Sequence, residues 1–227
     1  MSSDDLSAIF LTLKLASATT ILLLIIGPLI AWKLAMNRGK LSYLVEAVVA
    51  LPLVLPPTVL GFYLLLLFSP NSGPGKFMMA IFGEPLVFSF KGLLIASVIY
   101  SLPFVVQPLQ AAFRSLDQRL LENMDLLNLS VFDRIFTIII PLTLPSFMVA
   151  ILLAFAHTVG EFGVVLMIGG NIPDETRVLS IALFDHVESM NYEAAHELAF
   201  GLLAFSLITL FLVYGYFGKK SHQLRWT

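Results

Sequence analysis

Five runs of apolar residues, each long enough to match the thickness of a lipid bilayer, constrain this chain more than any other feature. They cover about 10–36, 43–69, 91–112, 137–169 and 197–217. A helix needs roughly 20 such residues to cross the hydrocarbon layer. Backbone polar groups in lipid must find partners within the protein, so continuous apolar runs fold there as helices. The fourth run is too long for one crossing. It reads as a helix that starts on the inner surface and bends inward near Pro141 and Pro145. Composition agrees: 12% of the 227 residues are charged and 58% are hydrophobic, whereas soluble domains carry about 25% charged residues. The expected fold is an all-α integral membrane protein of one domain with five transmembrane helices.

Other classes fall away. No cysteine is present, which excludes a disulfide framework and any cysteine-ligated metal site. A net charge of −2 gives no surface for nucleic acid. The opening stretch "MSSDDLSAIFLTLK" is acidic where a signal peptide is basic, so the first run reads as a retained span. With the N-terminus outside, the inner segments hold Arg38, Lys40, Arg114, Arg119, Arg134, Lys219, Lys220 and Arg225. The outer ones hold Lys76, Lys91 and Arg177. Eight against three favours N-out, C-in. The segment 113–135 is then cytoplasmic and 170–197 is outside.

Prolines come next. Pro28, Pro52, Pro56, Pro57, Pro103, Pro108, Pro141 and Pro145 lie in or beside the spans. Each removes a backbone donor and bends its helix. Broken helices at mid-membrane line the paths of transporters, and "LPLVLPPTVLGF" (residues 51–62) is the strongest candidate; packing kinks are the alternative.

The segment after the third span is an amphipathic island. Phe113, Leu116, Leu120, Met124 and Leu127 recur at helical spacing and make one apolar stripe. Asn128, Leu129 and Ser130 interrupt it, and Ser130 is suited to cap a second helix with Asp133 in its first turn. The pattern is helix, sharp turn, helix, held against the inner membrane face as a docking element.

This island resembles the cytoplasmic signature of ABC importer permeases, E-A-A, three residues, G, nine residues, I-x-L-P. Here it reads Glu122-Asn123-Met124, Asn128, then Ile138-Ile139-Ile140-Pro141. The spacing, the Glu, the first Ile and the Pro match; the alanines, the glycine and the leucine are replaced. The blocks "LPLVLPPTVLGFYLLL", "FSFKGLLIASVIYSLPF", "IIIPLTLPSFMVAILLAFAHTVGEFG" and "NIPDETRVLSIALFDHVESMNYEAAHELA" resemble successive parts of the molybdate permease family. The resemblance covers about residues 8–217, a type I ABC importer transmembrane domain, and leaves 218–227 as a cytoplasmic tail. It implies a homodimer in the bacterial cytoplasmic membrane. An extracytoplasmic molybdate-binding protein delivers substrate, and two separate ATP-binding subunits dock on the inner face. Glu122, Met124, Asn128, Leu129 and Arg134 are then the coupling residues. No strand–GxxxxGK[ST]–helix occurs in this sequence, so ATP is expected to be used by the partner, with no cofactor or metal bound here and no enzyme activity.

Molybdate is a dianion, and a bare ion in hydrocarbon costs on the order of tens of kcal/mol. It needs a polar path. Candidate linings are Ser17, Thr19 and Thr20 on the first span, Pro56, Pro57 and Thr58 at the double proline, and Ser97, Ser101 and Gln107 on the third. These hydroxyls have a simpler alternative, which is bonding back to their own helices. "HTVGEFG" (residues 157–163) is the one strongly polar cluster deep in a span. His157 and Glu161 stand four apart, on one face if helical, and intramembrane ionisable groups default to function. Glu161 is expected to pair with His157 or another donor, or to form part of a gate; path lining and a membrane-edge position are the alternatives. Outside, Asn171, Asp174, Glu175 and Arg177 are expected to face the binding protein. Tungstate or sulfate (or thiosulfate) import is the nearest alternative function. A secondary oxyanion transporter would need coupling carboxylates at mid-span, and only Glu161 fits.

Overall fold

The computed structural model describes residues 2–37, 39–117, 119–120 and 129–223, without the side chains of 213, 214 and 216–223. Besides the helical residues 119 and 120, the described residues hold nine helices and no strand. They are α1 (Ser3–Met36), α2 (Lys40–Val54), α3 (Pro57–Phe68), α4 (Gly73–Phe82), α5 (Phe90–Arg114), α6 (Val131–Val159), α7 (Gly163–Gly169), α8 (Leu179–Glu188) and α9 (Tyr192–Gln223). Stretches Ser3–Met36, Phe90–Arg114, Val131–Val159 and Tyr192–Leu212 are each long and apolar enough to cross a membrane. Together, α2 and α3 make a fifth if counted as one broken span.

Local chemistry sets the starts. Ser2 and Asp5 form a reciprocal capping box on α1, with bonds of 3.1 and 2.8 Å. Ser72, Ser89 and Ser130 cap α4, α5 and α6, each accepting the backbone N–H three residues on. The expected Ser130–Asp133 cap is therefore present.

Prolines behave unequally. Leu55 and Pro56 are extended, since a residue before proline is driven out of the helical region. The chain turns by 115° between α2 and α3. The second run is thus two half-helices. In the fourth run the helix does not break at Pro141 or Pro145. A π-helical turn over Arg134–Ile139 precedes Pro141, and α6 then runs unbroken to Val159. The wider turn takes up the missing donor and the ring's clash with the preceding turn. The break falls instead at Gly160–Phe162, where α7 takes over.

Helix α1 packs lengthwise along α5, both running the same way. Leu11 and Leu15 share a core with Leu93 and Ala96, and further along Leu23, Ala31 and Leu34 share another with Val105, Leu109 and Phe113. The ends bearing Ser3 and Phe90 are here termed upper, those bearing Met36 and Arg114 lower. Helix α6 returns antiparallel, with Phe147 against Phe113 near the bottom and Thr158 bonded to Ser101 halfway up. Helix α2 begins at the lower end, where Glu46 meets Arg114 at 3.1 Å. So α2 and α6 fill the lower half, and α3 and α7 continue the upper half. At the top, α8 is strapped to α1. Thr12 accepts the Leu179 N–H at 2.8 Å and donates to Ala8 at 2.7 Å. His186 bonds Asp5 at 2.8 Å, and Ser7 donates to Asp174. The flanks are apolar: Phe10, Ile25 and Leu29 of α1 and Phe200, Leu207 and Phe211 of α9 are all more than half exposed. Such a surface suits lipid rather than water.

Candidate functional site

Both helix breaks meet at one depth. A Cβ added to Gly163, the first residue of α7, would stand 2.8 Å from the Pro57 side chain at the start of α3. One added to Gly61 would meet Met167 at 2.8 Å and the Val164 backbone at 3.3 Å. Two glycines thus let the upper half-helices touch backbone to backbone. Beside this contact lies a cavity of about 500 Å³, walled by Pro57, Thr58, Tyr100, Ala156, His157 and the 160–163 turn.

The polar groups of the cavity are held from α5. Glu161 is 3% exposed, and Ser97 donates to its Oε2 at 2.8 Å. One turn on, Ser101 bonds both His157 Nδ1 and Thr158 Oγ1 at 3.0 Å. Counting protons assigns the directions. Thr158 spends its hydrogen on the Ala154 carbonyl, so Ser101 donates to Thr158, and His157 Nδ1–H donates to Ser101. The imidazole stacks on Phe104 at 4.0 Å and lies 4.7 Å from Tyr100. Ser180 of α8 donates to the Glu161 carbonyl. His157 and Glu161 do not pair with each other. Glu161 lies beyond the end of α6, so the four-residue spacing no longer puts the two on one helical face.

The structure brings together Pro57, Thr58, Ser97, Ser101, His157 and Glu161 from the expected set, with Pro56 adjoining them at the start of α3. Ser17 and Gln107 are exposed elsewhere on the bundle. Thr19 and Thr20 are buried, and their hydroxyls have no partner among the described residues. Tyr100 and Ser180 carry no signal in the sequence, whereas Gly160 and Gly163, flanking Glu161, are residues suited to close helix approach, and Gly163 makes that approach to Pro57. At the top, Arg177 pairs with Asp185 at 3.2 Å and Asn171 donates to the same carboxylate at 2.7 Å. Asp174 is taken by Ser7, and Glu175 is exposed. At the bottom, Arg134 Nε donates to the Leu129 carbonyl at 2.9 Å. Glu122, Met124 and Asn128 lie outside the described residues. No cluster of metal-ligating side chains occurs among the described residues.

The family described as "binding-protein-dependent transport system inner membrane component" matches residues 9–220. The chain is 55% identical to the molybdenum transport system permease protein ModB of Azotobacter vinelandii, over 94% of this chain and 95% of that one. The corresponding protein of Haemophilus influenzae is 32% identical, over 92% and 91%. A bacterial alginate ABC transporter, solved in complex with an alginate-bound periplasmic protein, superposes with a TM-score of 0.74 at 20% identity, covering 93% of this chain and 77% of that one.

Proposed function

The chain belongs to the family of binding-protein-dependent transport inner membrane components, multi-pass proteins of the cell membrane, and on that premise we propose that it is the permease subunit of an ATP-driven importer of molybdate. The observation that carries the substrate is the 55% identity to a molybdenum permease along 94% of the chain. The geometry suits the task. Two half-helix pairs meet beside a polar cavity halfway through an apolar bundle, the arrangement by which an ion finds fixed dipoles inside lipid. Import of a dianion also requires that the path is never open at both ends, and a bundle divided at mid-height can rearrange its two halves separately.

On this proposal two copies of the chain form the pathway, with the upper end outside. The loop carrying Asn171 to Arg177 then meets a molybdate-binding protein. The lower island, from Glu122 and Met124 through Asn128, Leu129 and Arg134, docks an ATPase subunit. Exposed Val131, Phe132 and Phe136 beside it support a docking role. Cofactor chemistry is left to the ATPase.

The test is reconstitution in proteoliposomes with the ATPase and binding protein. Molybdate uptake is expected only with ATP inside reach of the ATPase, with tungstate competing strongly and sulfate weakly. Uptake without the ATPase, or sulfate import at the molybdate rate, sinks the proposal. A charge reversal at Glu122 is expected to abolish co-elution of the ATPase.

A further inference from the structure

Glu161 leaves one atom unexplained. Its Oε2 accepts from Ser97, while Oε1 is buried and has no hydrogen-bond partner among the described residues. No lysine or arginine lines the cavity against which it stands, and no described ion pair reaches it. An ionised carboxylate held there by one hydroxyl would be an uncompensated buried charge, costing several kcal/mol. A neutral acid in the same position has a donor to offer, and the oxygen free to bear it is Oε1.

A second feature converges on the same cavity. Helix α3 begins there, twelve residues long, with Pro56 at its cap and no side chain capping it. The Thr58 N–H has no backbone partner among the described residues, and Oε1, itself without a partner there, does not reach it. The N-terminus of a helix carries roughly half a positive charge and favours anions. Thr58 and Tyr100, two residues with hydroxyls, line the same cavity. A space of about 500 Å³ is many times the share of one water, about 30 Å³.

We propose that the cavity at the two helix breaks is a transient subsite for a tetrahedral oxyanion, in which Glu161 serves as a neutral acid that donates from Oε1. Thr58 and the start of α3 supply the facing donors. Neutral donors and a helix end attract a dianion without the tight grip of a fixed cation, so the ion can leave. Ser97 is the positioning residue: it holds Oε2, which leaves Oε1 as the oxygen free to carry the proton. The inference rests on the transport function proposed above and adds a binding chemistry to it.

The experiment compares wild type with Glu161→Gln and Glu161→Leu in the complete complex, reconstituted with ATPase and binding protein. Molybdate uptake rate and KM are read, with co-elution of the subunits as the check on folding. Gln keeps a neutral donor, so uptake within about threefold of wild type is expected. Leu removes it, and a loss of at least tenfold is expected. Equal losses in Gln and Leu, or wild-type uptake in Leu, overturn the subsite. A wild-type complex that imports no molybdate instead refutes the transport function itself. Should the Leu variant fail to assemble, infrared difference spectra on adding molybdate decide. A protonated-carboxyl band that shifts in wild type and is missing in Glu161→Gln supports the proposal; a carboxylate band, or no shift, rejects it.

Discussion

Single hydroxyls carry much of the order in this bundle, and Thr12 shows how. It is 2% exposed, donates to the Ala8 carbonyl and accepts the first free N–H of α8, from Leu179. Valine has the same shape but leaves that N–H unpaired. Thr12→Val is expected to lower the unfolding midpoint in detergent by an amount corresponding to about 1–3 kcal/mol, while Thr12→Ser stays close to wild type. The residue scale is also where sequence said least. A hydroxyl in an apolar helix satisfies itself on the carbonyl four residues back unless a neighbour offers more. Thr143, Ser206 and Thr209 do only that. Ser97 does otherwise because the α6–α7 break offers it Glu161, and Ser101 because Thr158 in the last turn of α6 offers its oxygen; no local pattern announces that break's position.

Helix elements were far more legible. Hydropathy alone marks α1, α5, α6 and α9, and the double proline marks the α2–α3 turn. In the fourth run two prolines draw attention to its start. A π turn precedes them and the helix continues through them, while the chain leaves the helix at the glycine-flanked Glu161. The contact that follows from this break is testable. Gly61 and Gly163 let α3 and α7 approach to a distance that a methyl group would violate, with Pro57 and the Val164 backbone as the unyielding neighbours. Gly163→Ala is expected to force the half-helices apart and destabilise the protein by about 1–3 kcal/mol. The same change at Gly83, where a Cβ meets nothing but φ is +76°, costs about 1 kcal/mol through backbone strain alone. Thermal unfolding of both variants, read beside molybdate uptake, separates the two: only the Gly163 change is expected to impair transport.

At the scale of the whole molecule, family and fold were legible because ordered blocks extend along nearly the full chain. Orientation rested on counting charges. The absence of cysteine makes that count easy to check. A single cysteine replacing exposed Glu84, above the bundle, is expected to react with a membrane-impermeant maleimide in intact spheroplasts. One replacing exposed Asp117, below it, is expected to react only after permeabilisation; the reverse pattern inverts the topology. The strap between α1 and α8 has a further consequence during synthesis. Its partners stand 167 to 181 residues apart in sequence. At roughly 5–20 residues per second, the first helix waits on the order of 10–30 seconds in the membrane before Leu179 and His186 emerge. Through that interval Asp5 and Thr12 lack their late partners. A nascent chain stalled before α8 is therefore a recognisable, unlatched species, and quality control needs only to sense the loose first helix to know that the rest has not arrived.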